Sequence, residues 1–92
     1  MNELFKALSD PTRRKILDLL KEKDLTAGEI SEQFDMSKPS ISQHLKILKS
    51  AKLIQDEKKG QFIIYSLNMT VFQEIISWAY SFKENNLRGD LD

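Results

Sequence analysis

The sequence contains no cysteine, which removes disulfide bridges, thiolate metal ligands and a thiol nucleophile from its 92 residues. Three glycines are too few, and too scattered, for a glycine-rich phosphate loop. Net charge is also missing, because fourteen Lys and Arg offset fourteen Asp and Glu. With 40 % apolar residues, that balance belongs to a folded chain and not to a disordered polyelectrolyte. No run of about 20 apolar residues occurs, and Met1-Asn2-Glu3-Leu4-Phe5-Lys6 lacks a signal peptide's apolar core. A cytoplasmic protein without membrane insertion is expected, and the length fits one domain, residues 1–92.

Charge is nonetheless unevenly placed. Residues 1–35 carry six basic and eight acidic side chains, residues 36–61 six and two, and residues 62–92 two and four. From Met36 to Gln55 there is no acid at all, only Lys38, His44, Lys46, Lys49 and Lys52. Such a run is either an ordinary solvated face or a binding surface for a polyanion.

The local pattern predicts a mainly α-helical chain with a small β-hairpin. Leu4, Phe5 and Leu8 form a short helical stripe, and Asp10-Pro11 then caps and opens a second helix reaching about Lys23. Ile16, Leu17, Leu19 and Leu20 give that helix its buried side. Thr26 and Glu29 fit a capping box, opening a third helix that buries Ile30 and Phe34 and stops at Asp35-Met36. Ser37 caps a fourth helix, Lys38 to about Ala51. A turn this tight crosses two helices steeply, as in a helix-turn-helix. Its customary glycine is absent, and Asp35 is expected to supply the left-handed backbone.

Ile41, Leu45 and Leu48, at i, i+4 and i+7, define the buried side of the fourth helix. Pro39, Gln43 and Lys46 lie opposite, flanked by Ser40, Ser42 and Ile47. Solvated helix faces favour Glu, Lys and Arg, whereas serines weaken a helix unless their hydroxyls find partners. Short polar side chains let a helix approach base edges closely, and a glutamine can present donor and acceptor together to adenine. Lys38, Ser40, Ser42 and Gln43 are therefore the base-edge candidates, with Pro39 beside them, and Lys46 and His44 face the backbone phosphates. For His44 a packing or capping role is an equal reading.

Leu53 to Glu57 and Gln61 to Leu67 flank Lys58-Lys59-Gly60, read as a hairpin turn. Lys58, Lys59 and Gln61 at its tip are further DNA candidates, although a hairpin tip is also simply a wet place for a lysine. Asn68 is expected to cap a last helix, Met69 to about Lys83, before a polar tail from about Asn85 to Asp92. Val71, Phe72, Ile75, Ile76, Trp78, Ala79, Tyr80 and Phe82 exceed the apolar stripe one core needs. A second copy of the chain is the expected cover, through Leu4, Phe5, Leu8, Phe72, Ile75, Ile76, Ala79 and Phe82, as a two-fold homodimer.

Three motifs in one register, Asp10-Pro11-Thr12-Arg13-Arg14-Lys15-Ile16-Leu17, Ser37 to Leu48 and Lys59 to Leu67, resemble the ArsR family of bacterial winged-helix repressors. Within it the chain resembles the small autorepressors of the sporulation-delay type, which lack a metal site and control an operon containing their own gene. The resemblance covers Leu4 to Phe82. It implies a winged helix-turn-helix, a dimer held by the first and last helices, recognition helices in successive major grooves and hairpin wings on the flanking backbone.

Metal sensors of that family place cysteines where this chain has Thr26 and Gly28, or His and carboxylates on the last helix, where it has only Glu74 and Glu84. No metal site and no cofactor are therefore expected; these motifs do not specify what, if anything, releases the protein from DNA, and an unidentified anti-repressor is one candidate partner. No catalytic residue is expected either: Ser42 and His44 at i and i+2 point apart on a helix, and Asp56 and Glu57 face opposite sides of a strand. Arg13, Arg14 and Lys15, at a helix start where cations oppose the dipole, suit either phosphate or a neighbouring acid. The rival reading is a winged-helix protein-interaction module that does not itself read DNA.

Overall fold

Side-chain caps punctuate the chain. A computed structural model describes the backbone of residues 2–91 and the side chains of residues 2–83. Helix α1 (Asn2–Leu8) leads into α2 (Pro11–Glu22), whose start is fixed by Asp10 accepting from the Arg13 N–H at 3.0 Å. A short strand β1 (Leu25–Thr26) precedes α3 (Ala27–Ser31), and both halves of the expected capping box are formed there. Thr26 Oγ1 accepts from the Glu29 N–H at 3.1 Å, and the Glu29 carboxylate accepts from the Thr26 N–H at 2.9 Å. Helix α4 (Lys38–Ser50) begins at Ser37, whose hydroxyl accepts from the Ser40 N–H at 3.3 Å.

The turn between α3 and α4 departs from expectation. Helix α3 ends at Ser31, and the chain reaches Ser37 through i→i+3 bonds from Gln33 N–H to the Ile30 carbonyl and from Phe34 N–H to the Ser31 carbonyl. That tightening makes a left-handed residue unnecessary, and Asp35 is not one. Among the described residues only Lys52 and Gly60 have positive φ, +63° and +60°. Lys52 ends α4 in a Schellman motif: its own N–H donates to the Lys49 carbonyl and the Leu53 N–H to the Leu48 carbonyl. Leu48 and Leu53 are both fully buried, so the apolar contact that accompanies this motif holds a lysine where glycine is usual.

Strands β2 (Ile54–Lys59) and β3 (Phe62–Leu67) pair antiparallel, with Lys59 opposite Phe62. The hairpin turn is therefore Gly60-Gln61, and the two lysines expected in it belong to β2. β1 pairs with the other edge of β3, Leu25 opposite Tyr65 and Thr26 opposite Ile64, giving the order β1-β3-β2. The hairpin is thus part of a three-stranded sheet.

Helix α5 (Met69–Leu91) runs well past the expected end at Lys83. The backbone of the expected polar tail, Asn85 to Asp92, is helical as far as Leu91, while its side chains lie outside the described residues. At its start Asn68 contributes its backbone carbonyl, accepting from the Val71 and Phe72 N–H groups.

The core comprises Ala7, Ile16, Leu17, Leu20, Leu25, Ile30, Ile41, Leu45, Leu48, Leu53 and Ile54, with Val71, Phe72 and Ile75 half-buried against it. Burying each such Leu or Ile contributes about 1.5–3 kcal/mol, so this one cluster orients α4. The radius of gyration is 16.0 Å, against about 12 Å for a compact chain of this length, and the long axis spans 58 Å. Helix α5 extends away from the core that the other elements share.

Candidate nucleic-acid interface

Ile41, Leu45 and Leu48 seat α4 on the core at 0–3 % exposure, and that placement turns the opposite side of the helix to solvent. Lys38, Pro39, Ser40, Ser42, Gln43 and Lys46 are all exposed, as expected of a helix offered to a partner. Ser40 is already engaged, because its hydroxyl sits 2.9 Å from that of Ser37 inside the cap. Beside Gln43 and Lys46 runs a shallow groove of about 230 Å³, closed on its far side by Glu3 and Lys6 of α1. Helix α1 thus brings a cation and a carboxylate to the edge of the outward face. Sequence reasoning missed both, since nothing in the local pattern says where a short first helix will lie.

His44 is half-buried, and its Nδ1 lies 3.2 Å from Arg13 Nη1 and 3.9 Å from Asp10 Oδ2. The ring nitrogen facing inward is engaged, so any phosphate contact falls to Nε2. With Ser42 outward and His44 turned to Arg13, the two make no nucleophile–base pair.

Within the chain, none of the three basic residues opening α2 takes an acid as its principal partner. Arg13 is buried at 8 % exposure, and donates from Nε to the Ala7 carbonyl at 2.9 Å and from Nη2 to the Lys6 carbonyl at 3.0 Å. Arg14 Nη1 donates to the Leu8 carbonyl at 2.8 Å, and Lys15 Nζ stands 5.5 Å over the Phe34 ring. The arginines satisfy the last carbonyls of α1, where a cation suits the helix dipole, and this offsets their unfavourable position at the start of α2. The Arg13 N–H holds the Asp10 carboxyl below its ordinary value against the opposing effect of burial, and the Arg13 side chain acts in the same direction.

In the hairpin, Lys58 and Lys59 are exposed but alternate sides of β2: Lys59 shares a face with Phe62 and Lys58 with Ile63. They cannot reach one phosphate together. Gln61 is exposed in the turn itself. Lys49, within the acid-free run, donates to Asp56 at 3.0 Å and ties α4 to β2. On α4 itself, Lys38 and Lys46, at the start and middle of the helix, have no ion-pair partner among the described residues.

A second uncovered surface is apolar. Phe5, Ile76, Ala79 and Phe82 are exposed, and Leu4, Leu8, Phe72 and Ile75 are half-buried. Trp78 joins them: its ring lies 5.9 Å from Phe5 and 5.1 Å, edge-on, from Phe82, stapling α1 to α5. Its place at the α1 junction depended on a crossing that helical spacing alone does not disclose. Among the described residues no three His, Cys, Asp or Glu side chains gather as metal ligands, and Glu84 lies outside that set. No helix there is long and apolar enough to cross a membrane.

Comparison with known proteins decides the family. Residues 10–56, from the α2 cap through the helix-turn-helix into β2, match the model described as bacterial regulatory protein, arsR family. The chain belongs to the arsR family of bacterial regulatory proteins. It is 66 % identical to the transcriptional repressor SdpR of Bacillus subtilis (strain 168) over its whole length and 99 % of that protein. The crystal structure of an ArsR family transcriptional regulator superposes with a TM-score of 0.83 at 31 % identity, covering 90 % of this chain and 91 % of that one. A homodimeric winged helix-turn-helix DNA-binding domain from Mycobacterium bovis shares the fold, with a TM-score of 0.74 at 23 % identity over 94 % of this chain and 80 % of that one. This arsR-family chain is thus a winged helix-turn-helix transcription regulator of the sporulation-delay repressor type, and not an enzyme.

Proposed function

We propose that two copies of the chain, joined through α1 and α5, bind an inverted-repeat operator and repress by occupying promoter DNA, including that of their own gene. The observation that carries this reading is the exposed, short-chained polar face of α4, held outward by the burial of Ile41, Leu45 and Leu48. Lys38, Ser42 and Gln43 read base edges, with Ser40 and Pro39 at the helix start allowing close approach. Lys46, Lys59 and His44 through Nε2 contact phosphates, and Lys58 and Gln61 meet the backbone from the other side of the wing. The apolar excess on α5 and the Phe5–Trp78–Phe82 cluster support the dimer. Repression by SdpR and the homodimeric state of the Mycobacterium bovis domain agree with this reading.

The operator half-sites then lie one helical turn, about 34–36 Å, apart. Thr26 and Gly28 offer no soft ligand, and release from DNA falls to an anti-repressor partner and not to a metal. Selection of binding sites from random duplex DNA tests the reading. The wild-type chain is expected to recover an inverted repeat, and Gln43→Ala to lose preference at one symmetric pair of positions, worth about 1–3 kcal/mol each. Divalent zinc, cadmium or nickel should leave the affinity unchanged. Recovery of no shared sequence would favour a protein-interaction module instead.

A further inference from the structure

Arg13 is the buried charged residue among the described side chains, and its guanidinium joins three helices. It grows from α2; Nε and Nη2 hold the Ala7 and Lys6 carbonyls at the end of α1; Nη1 meets His44 Nδ1 on α4 at 3.2 Å. A guanidinium only donates, so His44 Nδ1 must accept, and the ring proton sits on Nε2. The Asp10 carboxylate, 3.9 Å from the same Nδ1, is the other charged group facing the ring. Apolar side chains could fill this junction at no desolvation cost, and a buried ion earns its place chiefly where direction matters. A planar fork fixes angles, which a lysine's single ammonium cannot do.

The two elements that this fork joins to α2 have separate tasks. Helix α1 carries Leu4, Phe5 and Leu8 of the dimer surface, and α4 carries the groove face. We propose that Arg13, acting through His44, is a positioning residue that fixes the rotation of each recognition helix relative to the dimer contact, and so fixes which half-site spacing the protein accepts. This rests on the inverted-repeat reading above. Inserting one base pair at the dyad shifts the half-sites by about 3.4 Å and turns them by about 35°. A rigid junction cannot follow that change, whereas a loosened one can, because Ile41, Leu45 and Leu48 would still anchor α4 to the core.

The test uses full-length protein and inverted-repeat duplexes selected by the wild type, rebuilt with one base pair added or removed at the dyad. Substitution of Arg13 itself risks unfolding the α1–α2 corner, so His44→Leu and His44→Gln are compared, with dimer mass and thermal unfolding measured alongside. His44→Leu removes the acceptor but spares both carbonyl bonds, and should shrink the affinity penalty for altered spacing about tenfold. In His44→Gln the amide oxygen can accept from Nη1, and the wild-type penalty should be retained. A His44→Leu dimer that loses affinity equally on every spacing would overturn the positioning role, leaving His44 as a phosphate contact or a packing residue. A wild-type protein indifferent to spacing would overturn the inverted-repeat reading and this proposal with it.

Discussion

Helices α4 and α5 each leave one side uncovered, and the two sides are chemically opposite. The free side of α4 is built of serines, glutamine and lysines, while that of α5 exposes Ile76, Trp78, Tyr80 and Phe82 at 45–62 %. Helix α4 buries Ile41, Leu45 and Leu48 in the core and α5 packs Val71, Phe72 and Ile75 half-buried against it, so the contrast lies in what the two helices leave uncovered. An uncovered polar side with few good helix formers costs helix stability and is compensated by a wet, charged ligand. An uncovered aromatic side costs solubility and is compensated by a surface of the same kind. In the function proposed above, the polar side takes DNA and the apolar side a second copy of the chain.

Breaking the α5 side should have the largest effect. Ile76→Glu would bury a carboxylate in the dimer contact and weaken self-association by on the order of 100-fold, measured by sedimentation, with operator binding lost in parallel. Lys46→Ala on α4 should leave the dimer intact, weaken binding to all duplexes alike and reduce the salt slope by about 1 for each phosphate that is no longer neutralised. A Lys46→Ala protein that became monomeric would break the division between the helices.

Smaller effects sharpen the comparison by disturbing how α4 is held and not what it shows. Asp10→Ala removes the α2 cap and should cost about 1 kcal/mol at neutral pH in a denaturant titration. Because the Asp10 carboxyl sits below its ordinary value when folded, its contribution is complete above about pH 4 and fades as pH falls through the lower folded value. The variant should lose less stability than the wild type across that acid range. Lys52→Gly should stabilise the fold by about 0.5 kcal/mol, since glycine takes φ +63° without strain, and leave DNA affinity unchanged.

Features decided within about two turns of helix were legible in the sequence. The caps at Asp10, Thr26 and Ser37 and the i, i+4, i+7 core of α4 depend on neighbours three to seven residues away, and the exposed face of α4 follows from them. Features decided by distant partners were not. Strand β1 exists only because β3, far along the chain, offers an edge to Leu25 and Thr26. Arg13 reads as a surface cation until α1 folds back and α4 crosses beside it. Lys58 and Lys59 look like turn residues until Lys59 is seen opposite Phe62, which splits them onto two faces. Lys52 takes a left-handed backbone because burial of Leu48 and Leu53 demands that closure, a reason absent from its own identity.

The most direct test of the central claim is hydroxyl-radical footprinting of the selected operator, with the protein's mass in the complex determined in parallel. Two chains presenting α4 symmetrically predict two protected patches related by a dyad and centred about 10 base pairs apart. A single patch bound by one chain, or uniform cleavage along the duplex, would contradict it.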